Sequence, residues 1–388
     1  MDGKERKRRD KSNKNEGEGE GPRTGREIRR PPNESIDDNA PTEEEIKALI
    51  EEGVKRLEGF NANEFWGKEL EWWISVKKRL ENNGLLELVD VVEGINKYIE
   101  TVMRWYAEHV NTRELIEQLR SHAIVRKYKR SFSVQVREKY VTLIIRKVNG
   151  GLAMSLLFKE LRGIVFNVPG ALSHYEIMLR RGLEGTDAWK EKNRIGMATT
   201  HRWQVMLWLA LNPGNNYVKI EGIDLNKKRG PKLRWIIYSE RESEKERLLE
   251  LLRDASDAEL RAFAWGMVLG DGTISFAKDR NKVKPQILIY YGVKRKYHDY
   301  LKQLGFVEGK KRYIITTSKA ANFAKTLLSE MPLKLKILFD ILEVEKWERL
   351  RRVAEFTYNC IIIITLHGTK VCKETKNKEV AENKKKST

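Results

Sequence analysis

The stretch Ser256-Asp-Ala-Glu259-Leu-Arg-Ala-Phe-Ala264-Trp-Gly266-Met-Val-Leu-Gly270-Asp271-Gly272 reads as a helix with both ends specified. Ser256 and Glu259 form a capping box that supplies partners for free N–H groups of the first turn. Leu260, Phe263, Ala264, Met267 and Val268 recur at helical spacing and give one apolar face. Gly266 and Gly270, four residues apart, lie one above the other and leave room for a second backbone. Gly272 is free to take the positive φ of a C-cap. Asp271 is electrostatically out of place, because the last turn of a helix already carries partial negative charge. A carboxylate beside unpaired carbonyls is instead a good site for a hard cation such as Mg²⁺.

Downstream, residues 273–277 alternate as a strand, with Ile274 and Phe276 on one face and Thr273 and Ser275 on the other. Residues 278–285 form a charged turn and 286–291 the return strand. A helix over 294–304 stops at Gly305, strands at 306–307 and 312–317 pair around Gly309, and 320–328 is again helical. Pro332 then opens a long basic helix through Glu355. The expected order is α-β-β-α-β-β-α. Residues 273–356 carry a net charge of +10, a balance that attracts a polyanion, and nucleic acid is the usual one.

Position by position, the stretch from Ala264 to Gly272 resembles the signature helix of the LAGLIDADG homing endonucleases, mobile-element nucleases. Gly266 matches the first glycine, Gly270 the last small residue, and Asp271-Gly272 the closing pair. Ala264, Trp265 and Leu269 depart from the pattern. Pro332-Leu333-Lys334-Leu335-Lys336 resembles the family's proline-leucine-lysine segment, although the glutamine that often follows is replaced by Ile337. The resemblance covers 256–355 and implies a saddle-shaped fold acting on duplex DNA. It implies that Asp271 holds Mg²⁺ as a catalytic ligand and that Lys336 reaches the active site. It also implies a second acid, supplied by a homodimer partner or by a disguised first half. More loosely, the whole chain resembles paralogous proteins of hyperthermophilic archaea. On the expected sheet, Ser275, Gln286 and Tyr290 would face the groove, Lys278, Arg280, Lys282 and Lys284 would reach phosphates or base edges from the hairpin tip, and Arg312 is a further expected nucleic-acid contact.

The remainder is bounded more loosely. At 388 residues with a net charge of +19, the chain can hold two or three domains with sizeable cores. No apolar run approaches a membrane span and the N-terminus is charged, so a bilayer partner is not expected. Two cysteines, Cys360 and Cys372, are too few for a disulfide framework and fit a reducing cytoplasm. Five glutamines against abundant Lys, Arg and Glu match the composition of hyperthermophile proteins.

Residues 1–40 have the composition of a disordered tail. Residues 41–122, with a net charge of −6, form a helical region with Trp66, Trp72, Trp73 and Trp105 at core spacing. In residues 123–255 the expected elements are strands at 133–137 and 140–147, helices at 151–162 and 199–211, and a hairpin of 217–223 with 233–238. Lys227-Lys228-Arg229 at its tip would suit a phosphate, and Glu221, Asp224 and Lys227 faintly resemble a restriction-type cluster with the wrong spacing. This region could be a degenerate first copy of 256–356, on element order alone. A strand at 360–364 precedes a basic tail, 357–388 in all. The expected class is therefore α+β, ending in an αββαββα saddle. Function divides three ways: a Mg²⁺-dependent DNA endonuclease, a non-catalytic DNA- or RNA-binding protein, or an interaction protein using 41–122.

Overall fold

A computed structural model describes residues 41–128, 131–148, 151–191, 193–226, 230–240, 248–279, 282–290, 297–356, 360–364 and 370–374. The expected disordered tail (1–40), the basic tip 227–229 and Arg280 lie outside the described residues. The described chain is mixed α and β with antiparallel sheets. None of its helices is long and apolar enough to cross a membrane.

Four helices come first: α1 (Glu43–Glu58), α2 (Ala62–Asn82), α3 (Val89–His109) and α4 (Thr112–Ser121). Thr42 and Glu45 close a capping box on α1, and Asn111 caps α4 and so separates it from α3. Strands β1 (Ile124–Tyr128), β2 (Ser131–Arg137), β3 (Val141–Val148), β4 (Gly151–Phe158) and β5 (Ile164–Val168) follow. The helix expected over 151–162 is instead β4. Its Met154, Leu156 and Phe158 are buried at a period of two, and pairing on both sides overrides a helix-forming composition.

Two runs of like order complete the fold. The first is α5 (His174–Asp187), β6 (Ala188–Glu191), β7 (Arg194–Thr199), α6 (Arg202–Ala210), β8 (Gly214–Asn226), β9 (Gly230–Glu240) and α7 (Leu248–Asp254). The second is α8 (Asp257–Leu269), β10 (Gly272–Asp279), β11 (Lys282–Tyr290), α9 (His298–Gln303), β12 (Val307–Glu308), β13 (Arg312–Thr316) and α10 (Thr317–Glu330). The long terminal helix expected from Pro332 is two helices, α11 (Leu333–Ile341) and α12 (Glu345–Ala354), with Glu343 between them at φ 52°. The apolar run at 360–364 is β14 (Cys360–Ile364), paired with β15 (Lys370–Glu374).

Strands β10-β11-β13-β12 make a four-stranded sheet. Strands β6-β7-β9-β8 follow the same first-second-fourth-third order inside a nine-stranded sheet, which β4, β3, β2 and β1 extend beyond β8. The apolar face of that larger sheet, with Val134, Ile145, Leu156, Ile223, Trp235 and Ile237, is fully buried. The N-terminal helices cover it rather than standing apart. Gly53 of α1 sits against Ile145, and Trp73 of α2 packs 5.7 Å from Trp235, ring to ring. The Tyr98 hydroxyl of α3 accepts a hydrogen bond from the Ile220 N–H at a β-bulge in β8. Trp66, Trp72 and Trp73 are core residues, as their spacing predicts.

Candidate functional site

Helices α5 and α8 pack on each other backbone to backbone. A Cβ on Gly182 would sit 1.9 Å from the Phe263 carbonyl oxygen, and one on Gly266 2.0 Å from that of Leu179. Only glycine allows such an approach. Both helices open with a serine–glutamate capping box, Ser173 with Glu176 and Ser256 with Glu259. Each ends at an aspartate: Asp187 is the last residue of α5, and Asp271 follows the Gly270 C-cap of α8. At Gly270 the ends nearly touch, since a Cβ there would lie 1.9 Å from Thr186 Oγ1 and 3.2 Å from Asp187 Oδ2.

Asp187 is half-buried, and its carboxyl is pushed up to about 6, first by burial and then by the negative charge of Asp271. Lys346, at the start of α12, and a hydrogen bond from Gln204 Nε2 (3.2 Å) pull the other way. The Lys346 ammonium donates to the carbonyls of Val268 (2.8 Å), Leu269 (2.7 Å) and Gly270 (2.7 Å), which α8 leaves without helical partners. Burial holds this lysine down to about 8 despite the two carboxylates. A cavity of about 410 Å³, lined among others by Asp187, Gln204, Glu221, Arg234, Gly270 and Lys346, opens beside the pair.

A pH prediction follows from Asp187. Its folded pKa lies above the unfolded value, so ionisation opposes folding, and stability falls as pH rises from about 4 to about 6. Asp187→Asn removes that penalty. In chelator at pH 8 it should stabilise the chain, by ~3 kcal/mol at most, and by nothing near pH 4. Denaturant midpoints at the two pH values measure this, and equal shifts at both would show that the carboxylate is relaxed by solvent.

Asp187, Gln204 and Lys346 escaped the sequence reading. The repeated Ser-x-x-Glu box and the spacing from Gly182 to Asp187 were the available signals. Thr186 and Ala188 stand where the later helix has glycines, and Arg181 and Glu184 interrupt the apolar pattern. Both are buried and form a 3.3 Å ion pair, and Glu184 also pairs with Arg180 at 3.5 Å.

The expected site residues fall in several places. Asp271 is exposed at the junction of α8 and β10. Lys336 stands on α11, outside the charged groups that act on Asp187, and the lysine at the carboxylates is Lys346. Ser275 and Gln286 are cross-strand partners, and Gln286 Nε2 donates to Ser275 Oγ at 2.8 Å. Tyr290 and Arg312 pair on the same face and are exposed. The strands run further towards their turn than expected. Lys284 therefore sits inside β11 opposite Ala277 on that face, and exposed Lys278 alternates to the face of Ile274. Lys282 begins β11. Of the faint restriction-type cluster, Lys227 lies outside the described residues, and Arg234 ion-pairs with Glu221 and Asp224 at 3.1 and 3.4 Å.

Among the described residues no three His, Cys, Asp or Glu side chains converge as a metal cage. Mg²⁺ is commonly held by one or two carboxylates with waters and substrate phosphates. Asp187 and Asp271, whose mutual repulsion a cation would relieve, fit that donor set. The chain matches no family model, and none of the curated proteins is similar to it.

Proposed function

We propose that the chain is a Mg²⁺-dependent DNA endonuclease of the LAGLIDADG homing type, built as an internal pseudo-dimer. The observation that carries this reading is the meeting of Asp187 and Asp271 at adjoining helix ends, each at the head of a run with the same strand order. Residues 174–254 would then be the divergent first copy and 257–330 the second. Asp187 and Asp271 would hold Mg²⁺, which supplies water activation and stabilisation of the leaving oxygen. Lys346 places a positive charge beside the pair, where the scissile phosphate would lie. Ser275, Gln286, Tyr290 and Arg312 offer base-edge and phosphate contacts on the second sheet.

The second reading, a DNA- or RNA-binding protein that keeps the architecture without the chemistry, is favoured by Lys346. Its ammonium bonds to carbonyls that a cation would otherwise use. Supercoiled plasmid with and without Mg²⁺ separates the two. The nuclease reading expects Mg²⁺-dependent nicked or linear product, whereas binding with unchanged plasmid would leave only the second. If neither occurs at low salt, both are wrong.

A further inference from the structure

The nine-stranded sheet is longer than the four strands needed for the site, and the surplus has its own chemistry. Register puts Arg126 opposite Ser133, Ser133 opposite Arg146, and Arg137 opposite Thr142, all on the face away from the N-terminal helices. Arg126, Arg137 and Arg146 are exposed, and no carboxylate among the described residues pairs with them. The floor between them is polar around Ser133 and Gln135, with Ile144 beside them. Ser133 and Gln135 are buried beneath the arginines, Gln135 Nε2 donates to Ser133 Oγ at 3.0 Å, and Arg137 Nη2 donates to Gln135 Oε1 at 3.4 Å. A second groove, about 260 Å³, runs over this face and is lined by Arg146, Ser155, Asp224 and Arg234. Arg234 also lines the cavity beside Asp187, so the two hollows adjoin at this residue, which Glu221 and Asp224 hold, and together they mark a track from the paired carboxylates across β8 and β4 to β3.

We propose that β1–β4 extend the nucleic-acid platform, so that a duplex held at Asp187 and Asp271 continues on one side across this track, with its phosphates on Arg126, Arg137 and Arg146. This rests on the nuclease reading for what occupies the site. Four strand spacings of about 4.8 Å span about 19 Å, or about six base pairs at 3.4 Å each. Among the described residues no strand borders β12, the edge strand of the other sheet, so the footprint is one-sided. The occupant is duplex DNA rather than an acidic protein, because three spaced, carboxylate-free cations match a line of phosphates; the exposed Ile124, Tyr128 and Val148 on the same face stand singly and form no continuous apolar anchor.

The full chain carrying Arg126→Ala, Arg137→Ala and Arg146→Ala tests this by equilibrium binding to duplexes at several salt concentrations. Loss of up to three contacts should flatten the log–log salt slope by about 0.9 each. Between about 50 and 200 mM salt the parent should then lose about 40-fold more affinity than the variant. Extending the duplex by about six base pairs on one side should tighten the parent and not the variant. The single Arg146→Gln, which keeps side-chain length, should show about a third of the slope change and guards against misfolding of the triple variant. A parent that binds duplex with a slope the variants leave unchanged overturns the platform and leaves the nuclease reading intact. A parent that binds no duplex at any salt overturns the nuclease reading itself. Equal arginine dependence for single-stranded RNA of the same length would overturn the assignment to a duplex.

Discussion

Asp187→Asn and Asp271→Asn should each abolish strand cleavage while leaving duplex affinity within a few-fold of the parent. Each change keeps the size of the side chain and removes one of the two negative charges at the helix ends. If those charges hold the cation, either loss should remove several kcal/mol of transition-state stabilisation, roughly 10³-fold in rate. The phosphate contacts on the sheets stay in place, so affinity and its salt slope should hold. Thermal melts give an independent readout. Mg²⁺ should raise the melting temperature of the parent and of neither variant, since a ligand stabilises only what it binds. Full cleavage by both variants, with melts indifferent to Mg²⁺, would end the case for catalysis at this pair.

The second large effect is structural. Gly266→Ala or Gly182→Ala should cost about 3 kcal/mol or more, the upper end of overpacking, because the new methyl meets backbone rather than a side chain that can turn away. Both residues sit at the same crossing, so the double variant should cost less than the sum of the singles. Gly67 in α2 is the internal control. A Cβ there meets nothing within 4 Å, and Gly67→Ala should stabilise by up to about 1 kcal/mol. Chemical denaturation of the four variants decides it. A mild cost at Gly266 would mean that the helix pair can separate without loss.

How much of this could be read from the sequence differs between the two halves. Helix α8 was legible because capping box, apolar period, glycine pair and closing acid all point the same way. Helix α5 makes the same crossing with the same box, yet a buried Arg181–Glu184 ion pair occupies its packed face, and sequence patterns count such residues as solvent-facing. The assignment of β4 failed for a related reason. Gly-Leu-Ala-Met-Ser-Leu-Leu-Phe has helix-forming letters, and its state is decided by neighbours far away in the chain. Lys346 was missed because its partners are main-chain carbonyls, which leave no mark in side-chain spacing.

That Asp187 and Asp271 come together inside one chain has a consequence for dilution. Two separate subunits meeting at such a crossing would come apart as their concentration falls, and stability and site would be lost together. Here the α5–α8 crossing is intramolecular, at a local concentration set by the chain that joins the two helices rather than by the solution. Its occupancy is therefore the same at trace abundance as at high abundance. Nor does a substitution at one helix end repeat itself at the other, so the two carboxylates can differ in burial, as half-buried Asp187 and exposed Asp271 do.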